Sequence, residues 1–363
     1  MTADLDELRR RIDALDDRVV DLLAERAELA DAAAAAKRAA GLASMHDPER
    51  ERRVLDRLAE RGAGRFPRDS VRAVFREVMS GCLALEQPLA VAFLGPEGTF
   101  SHMAARHLFG LAARYREATS IEGVFDAVAR GDAAAGVVPL ENSTEGSVTF
   151  TLDALLEGSL LIRQELVLDV SHCLLGRADG LSTIERVYSH PQALAQCRVW
   201  LARHLPHAQV VQTSSTAAAA REALADPTAA AVASRLASEL YGLAILRERI
   251  HDRPENATRF VVVGTSDAKR TGDDKTTLAF SLNDERGALR RVLEVFDAAS
   301  LNLTRIESRP SRQRPWEYVF LADLEGHRDD ASVAEAVRAL GERCAMVRVL
   351  GSYPRFRAPA PPA

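Results

Sequence analysis

The 363-residue chain has little of what announces metal, disulfide or nucleic-acid chemistry. Its four cysteines, Cys82, Cys173, Cys197 and Cys344, are far apart and form no CxxC pair. That excludes a zinc ribbon and a redox dithiol, and reduced thiols in a cytoplasmic protein are expected. Its nine histidines include no HExxH and no His/Cys cluster, so no metal site is implied. A net charge of −5 offers no general surface for nucleic acid. No apolar run approaches the roughly 20 residues of a membrane span. The N-terminus is acidic and helical, which does not read as a signal peptide. No internal repeat relates one part of the chain to another. Residues 4–40 contain neither Pro nor Gly, and that absence introduces the most informative feature that is present.

Residues 4–40 read as one helix about 55 Å long at 1.5 Å per residue. Leu8, Ile12, Leu15, Val19, Leu22, Leu29 and Ala33 fall within roughly 60° of a common direction, forming an apolar stripe. Arg26 lies in the centre of that stripe, and Lys37 returns to within about 20° of it. A buried cation without a partner is costly, so an anion belongs there, either a protein carboxylate or a ligand. A second helix starts at Pro48 with Asp47 as N-cap and runs to about Arg61. A third runs from Asp69 to Glu86. Glu51 shares a face with Val54, Leu55 and Leu58, and Cys82 shares one with Glu86. The interior thus collects Arg26, Lys37, Glu51 and Glu86, with Arg50 at its edge. A structural ion-pair network explains such a cluster in an arbitrary bundle, whereas several inward cations suit a dianionic ligand better. A helix this long outruns a domain of 87 residues, so a dimer is expected. Arg9 lies about 25 Å along the helix from Arg26 and can reach only a partner's pocket.

From Leu89 the texture changes to short apolar runs alternating with helical ones, a grammar of parallel strands and crossover helices. Gln87-Pro88 and Thr265–Asp274 read as linkers. Residues 275–354 follow a β-α-β-β-α-β order of the ferredoxin-like kind. Arg357–Ala363 reads as a disordered tail. The expected domains are therefore 1–87, 89–265 and 275–355, followed by the tail 357–363.

The helical segment LRRRIDALDDRVVDLLAERAELA…AKRAA…DPERERRVLDRL resembles the all-helical chorismate mutases. The resemblance implies that Arg9 of the partner, Arg26 and Lys37 hold the carboxylates and ether oxygen of chorismate. Asp47, Arg50 and Glu51 match the second-helix positions, and Cys82 and Glu86 the third. A Claisen rearrangement needs a compact conformer and positive charge near the ether oxygen, with no cofactor. Some members carry Gln at the position of Glu86. A glutamate donates a hydrogen bond only when protonated, so a mutase that improves toward acid pH is expected. Gln87 takes this role if the register differs by one.

Three segments stand out in the middle of the chain. GPEGTFSHMAA contains Thr99 at a turn into a helix, a place where amides and a hydroxyl can hold a carboxylate. VVPLENSTEGSV places Glu141, Asn142, Ser143 and Thr144 in a loop at a strand end, where open α/β sheets bind ligands. The third is the pair SHPQALAQC and NATRFVVVG, with Ser189, Gln192, Gln196, Asn256, Thr258, Arg259 and Phe260. His190 alone reads more readily as a turn or packing histidine than as a catalyst. In this order the segments resemble prephenate dehydratase from about Ala90 to Gly264. That resemblance implies two α/β lobes around a cleft, similar to periplasmic binding proteins. The chain would leave the first lobe near Val167 and return near Leu243. Thr258 matches the family's catalytic threonine and acts as a donor to the leaving oxygen of prephenate. Arg259 is either structural or a carboxylate ligand. Substrate contacts are expected from Thr99, Glu141, Asn142, Ser143, Ser189, Gln196, Thr258 and Arg259.

Gly287, Ala288 and Leu289 open a helix after NDER, and Glu307, Ser308, Arg309 and Pro310 end a strand. A helix N-terminus suits an amino acid's carboxylate and the ESRP end its amine. This part resembles an ACT regulatory domain, with Trp316 in the family's PWE segment, which implies L-phenylalanine as effector. Dimerisation alone is the plainer role for such a domain. Taken together, the chain resembles the bifunctional chorismate mutase/prephenate dehydratases. The alternatives are a non-catalytic amino-acid sensor and an enzyme that takes arogenate in place of prephenate.

Overall fold

The computed structural model describes residues 4–40, 48–61, 64, 66–86, 89–178, 180–253, 255–283, 285–310 and 318–357. The expected cap Asp47, the linker Gln87-Pro88, Trp316 and the tail beyond Arg357 lie outside the described residues. By internal contacts the chain divides into two units, residues 1–89 with 109–114, and residues 90–108 with 115–363.

The first unit holds α1 (Leu5–Ala39), α2 (Pro48–Arg61) and α3 (Arg68–Glu86). Asp4 caps α1 by accepting from Asp6 N, and Lys37 and Arg38 complement the dipole at its last turn. Asp56 of α2 accepts from Arg72 of α3 at 2.7 Å. Ala34 is the buried residue of α1, while Leu8, Ile12, Leu15, Val19, Leu22 and Leu29 are each at least 40% exposed. Neither α2 nor α3 covers the apolar stripe.

The second unit contains three sheets. The first orders β2 (Arg114–Ala118), β1 (Ala90–Leu94), β3 (Ala135–Asn142), β11 (Ala257–Gly264) and β5 (Leu161–Asp169), with β4 (Gly146–Ser147) paired to β3. Its helices are α4 (Phe100–Phe109), α5 (Ile121–Ala129) and α6 (Thr149–Glu157). The second sheet orders β10 (Ala244–Arg247), β6 (Cys173–Gly176), β9 (Ala229–Ala233), β7 (Arg186–Ser189) and β8 (Gln209–Gln212). Its helices are α7 (Pro191–Gln196), α8 (Arg198–His204), α9 (Thr216–Ala225) and α10 (Arg235–Tyr241). Both sheets are mixed rather than parallel: β11 is antiparallel to β3 and β5, and β6 to β9 and β10. The chain leaves the first sheet after β5. It does not return near Leu243, because β10 still belongs to the second sheet; the return falls between Arg247 and Ala257.

The third sheet arises from β12 (Asp274–Ser281), α11 (Ala288–Ala298), β13 (Leu303–Pro310), β14 (Tyr318–Glu325), α12 (Ala331–Gly341) and β15 (Met346–Pro354), in strand order β13-β14-β12-β15. It is not an appended body. Ala279, Leu321, Leu350 and Tyr353 belong to one core with Leu140, Ile162, Val261 and Val263 of the first sheet. At Gly351 a Cβ would collide with the backbone of Ile162, so β15 can approach β5 only through glycine.

Candidate functional site

In the helical unit the two cations of the stripe are engaged on one face of α3. Arg26 Nη1 donates to Cys82 Sγ at 2.8 Å, and Lys37 Nζ lies 3.7 Å from Glu86 Oε2. Arg26 and Lys37 are separated by about 16 Å of helix rise, but Cys82 and Glu86 by only about 6 Å. The long side chains therefore lean toward a common region. Glu86 Oε2 is buried and accepts no hydrogen bond among the described residues. Glu51 is half-buried and Arg50 exposed on α2. Arg9 is exposed and pairs with Asp6 at 3.5 Å, away from its own chain's cluster. Arg76 of α3, which the sequence reading missed, is pushed down from its ordinary value by burial, against the pull of Glu77.

The register of β3 and β11 sets Asn142 directly opposite Thr258. Both are buried, and Asn142 Nδ2 donates to Thr258 Oγ1 at 2.9 Å. Asn142 Oδ1 accepts from Thr144 N at 3.0 Å and Glu145 N at 3.1 Å, which fixes the ENST turn. Ser143 ties the same turn to the other segment by donating to Glu255 O and accepting from Ala257 N. Asn256 Nδ2 donates to Gln196 Oε1 at 2.8 Å, and His172 Nε2 lies 2.9 Å from that oxygen. Asn142, Gln196, Asn256 and Thr258 thus come together from three separate stretches of sequence. His172 joins them unforeseen. Its position before β6 carried no motif, and burial pushes its imidazole down to about 4.

Other expected residues are placed differently. The Thr99 hydroxyl serves its own turn, donating to Leu94 O and accepting from His102 N. Gly98 N is taken by His102 Nδ1. That ring stacks on Phe93 and is pushed down to about 4 by burial, assisted by Arg106. The turn is also fastened across the two lobes, since Ser234 Oγ donates to Gly98 O and Tyr241 OH to Glu97 O. Ser189 is fully buried and donates to Val232 O.

The strand period of two turns Glu141 and Arg259 away from Asn142 and Thr258. Arg259 Nε donates to Glu165 at 2.8 Å, Nη1 to Asp323 at 2.5 Å and Nη2 to the Tyr353 hydroxyl at 2.8 Å. These bonds tie β11 to the third sheet, the structural one of the two roles expected for Arg259. Burial alone would raise Asp323, but the charge of Arg259 and the hydroxyl of Thr277 outweigh it and hold Asp323 below the usual carboxylate range. Glu141 Oε2 lies 3.2 Å from Arg305 Nε of β13 and so also faces the third sheet.

Gly287 adopts φ 77° before α11, whose N-terminus has no side-chain cap; Ala288 and Leu289 open that helix. On β13, Ser308 and Pro310 are exposed while Glu307 and Arg309 turn inward. Glu307 accepts from Ser147 Oγ at 2.5 Å, and Arg309 pairs with Asp153 and donates to Thr149 O. Two of the four ESRP side chains are therefore engaged with the segment that follows Asn142. Among the described residues no cluster could hold a metal ion, and no helix is long and apolar enough to cross a membrane.

Comparison with known proteins agrees with this layout. Residues 8–87 match the family of chorismate mutase type II, 91–268 that of prephenate dehydratase and 276–342 that of the ACT domain. The bifunctional chorismate mutase/prephenate dehydratase of Aquifex aeolicus is 45% identical over 97% of this chain and 98% of its own length. Its namesake in Escherichia coli strain K12 is 36% identical over 96% and 95%. A solved prephenate dehydratase from Arthrobacter aurescens in complex with L-Phe is 41% identical, with a TM-score of 0.69 over 74% of this chain and 90% of that one. The non-catalytic alternative falls, and the chain belongs to the family of bifunctional chorismate mutase/prephenate dehydratases.

Proposed function

We propose that the chain converts chorismate to prephenate in its helical unit and prephenate to phenylpyruvate at Thr258, with L-phenylalanine as feedback inhibitor. The mutase step is a pericyclic rearrangement. Arg26 and a partner's Arg9 bind the carboxylates, and Lys37 places positive charge beside the ether oxygen as the C–O bond breaks. In the second step the ring carboxylate leaves as CO₂. Its electron pair enters the ring, the C4–O bond breaks, and the departing oxygen takes a proton to leave as water. Aromatisation supplies the driving force.

The observation that carries the reading is the Asn142–Thr258 bond. A hydroxyl that already accepts keeps its hydrogen for another acceptor and is polarised as a donor. The leaving oxygen is the group that needs such a donor. Feedback is supported by the uncapped turn at Gly287 and by the L-Phe bound in the Arthrobacter relative. A homodimer is supported by the exposed stripe of α1.

Purified protein incubated with chorismate should form phenylpyruvate, followed by its ultraviolet absorbance, and added L-phenylalanine should suppress it. Parallel assays with prephenate and arogenate identify the substrate of the second step. Thr258→Ala should lower kcat by about 10²-fold or more with KM little changed. Near-normal turnover in that variant would remove Thr258 from the chemistry.

A further inference from the structure

A series of hydrogen bonds runs from Thr258 to His172, and its direction can be derived rather than assigned. Backbone N–H groups only donate, so Thr144 N and Glu145 N identify Asn142 Oδ1 as the oxygen. Nδ2 is then the atom that faces Thr258 Oγ1 and, at 3.0 Å, Asn256 Oδ1. Asn256 accepts with its oxygen and presents Nδ2 to Gln196 Oε1. That oxygen cannot donate, so His172 Nε2, 2.9 Å away, must carry the hydrogen. Nδ1 is left as the bare nitrogen; it is buried and has no hydrogen-bond partner among the described residues. Phe100 packs edge-on against the ring at 5.3 Å and holds its plane.

The opposite tautomer would set two lone pairs against each other at Gln196. Flipping Gln196 would move the conflict to Asn256, and flipping Asn256 would move it to Asn142. Asn142 cannot flip without losing two backbone donors. The series therefore has one consistent polarity, anchored at the ENST turn and closed at His172.

We propose that His172, as the Nε2–H tautomer, is a positioning residue for the dehydratase step. Its Nε2–H holds the Gln196 oxygen toward Asn256, which keeps Asn256 Oδ1 accepting from the Asn142 amide that the ENST turn orients, and the Thr258 hydrogen is left for the substrate's leaving oxygen. The proposal rests on the donor role of Thr258 argued above. His172, Gln196 and Asn256 need not touch the substrate.

The test compares two substitutions of equal size in the full-length protein. His172→Gln keeps a donor toward Gln196 Oε1. His172→Glu presents an acceptor at neutral pH and a donor once protonated. His172→Gln should keep kcat within about threefold of the parent, whereas His172→Glu should lose about tenfold or more at pH 7.5 with KM little changed. Acidification toward about pH 5 should recover much of the loss in His172→Glu. The neighbouring titratable ring is His251, itself lowered by burial, with Arg249 and Asp252 acting on it. Both variants share those groups, so the difference between the two pH profiles reports on position 172. In the parent protein, ¹⁵N NMR of the imidazole should show Nε2 protonated and Nδ1 bare at neutral pH. The reverse tautomer, or a His172→Glu enzyme with full kcat at neutral pH, overturns the proposal. If Thr258→Ala is inactive and either of those results appears, the relay alone fails. If Thr258→Ala is active, the reading beneath it fails.

Discussion

Asn142 and Thr258 show how one residue pair fixes a direction of chemistry: the amide donates, so the hydroxyl is left to donate in turn. The same reasoning bears on Glu86, whose carboxylate faces Lys37 in the helical unit. A carboxylate can only accept, a carboxylic acid can donate, and the glutamine amide donates at any pH. Glu86→Gln should therefore raise mutase kcat at neutral pH, since the amide supplies a hydrogen bond that a carboxylate does not. Mutase rates for both proteins at about pH 7.5 check it, and equal rates would remove Glu86 from contact with the substrate. His102 and His172 carry a pH signature. Both are buried and lowered from 6.5 to about 4 in the folded protein. Between those values the unfolded chain binds more protons, so the stability they contribute is complete above 6.5 and is lost as pH falls toward 4. The loss amounts to a few kcal/mol per histidine at most. Denaturant midpoints should fall over that window in the parent protein, and less steeply in His102→Gln.

Strand β11 works on both faces, with Thr258 turned to Asn142 and Arg259 turned to the third sheet. Arg259 lies against Glu165 and Asp323, whose side chains are each 1% exposed. Arg259→Met should cost about 3–5 kcal/mol, because it leaves buried carboxylates short of their cation. Chemical denaturation measures that cost. Because Asp323 sits below the ordinary value of 3.8, its contribution fades only at more acid pH and does not overlap the histidine window. Glu141→Gln, on the same face but half-exposed, should change stability by less than about 1 kcal/mol. The motifs NATRF and PLENSTEG were legible, and β3 and β11 emerged because their apolar runs are uninterrupted. Which face each side chain takes was not legible, since it follows from the register between β3 and β11. Glu141 and Arg259, neighbours in sequence of Asn142 and Thr258, accordingly face the third sheet without any sign of it in the motifs. The strand β2, RYREA, leaves little trace in the sequence because an edge strand needs little apolar surface. β5, LIRQELVLD, is hard to read because Glu165, which pairs with Arg259 and with Lys275 of the third sheet, interrupts its apolar pattern. His172 carried no signal in the sequence, since its role depends on Gln196 and Asn256 arriving from elsewhere.

At the scale of the molecule, the exposed stripe of α1 and the distant Arg9 point to one arrangement. The helix extends about 52 Å at 1.5 Å per residue, and its cation cluster involves only its C-terminal half. The Leu, Ile and Val side chains from Leu5 to Leu29 are each at least 39% exposed among the described residues. Exposed apolar surface of this extent marks an interface. A two-fold pairing of α1 with its copy would bury the stripe and carry each Arg9 toward the other chain's Arg26 and Lys37. Leu15→Lys, on the outer part of the stripe, should then shift the protein toward monomer in sedimentation and abolish mutase turnover, although Leu15 touches no catalytic group. Shared sites make a sharper prediction. Arg9→Ala and Arg26→Ala should each be inactive alone as mutases. In a mixed dimer one site combines the intact Arg26 of one chain with the intact Arg9 of the other, and the second site carries both lesions. Equal amounts of the two variants, unfolded together and refolded, should recover about a quarter of wild-type mutase activity, since half the dimers are mixed and half their sites are whole. If Arg9 served its own chain, both sites of the mixed dimer would stay defective, and co-refolding would recover nothing.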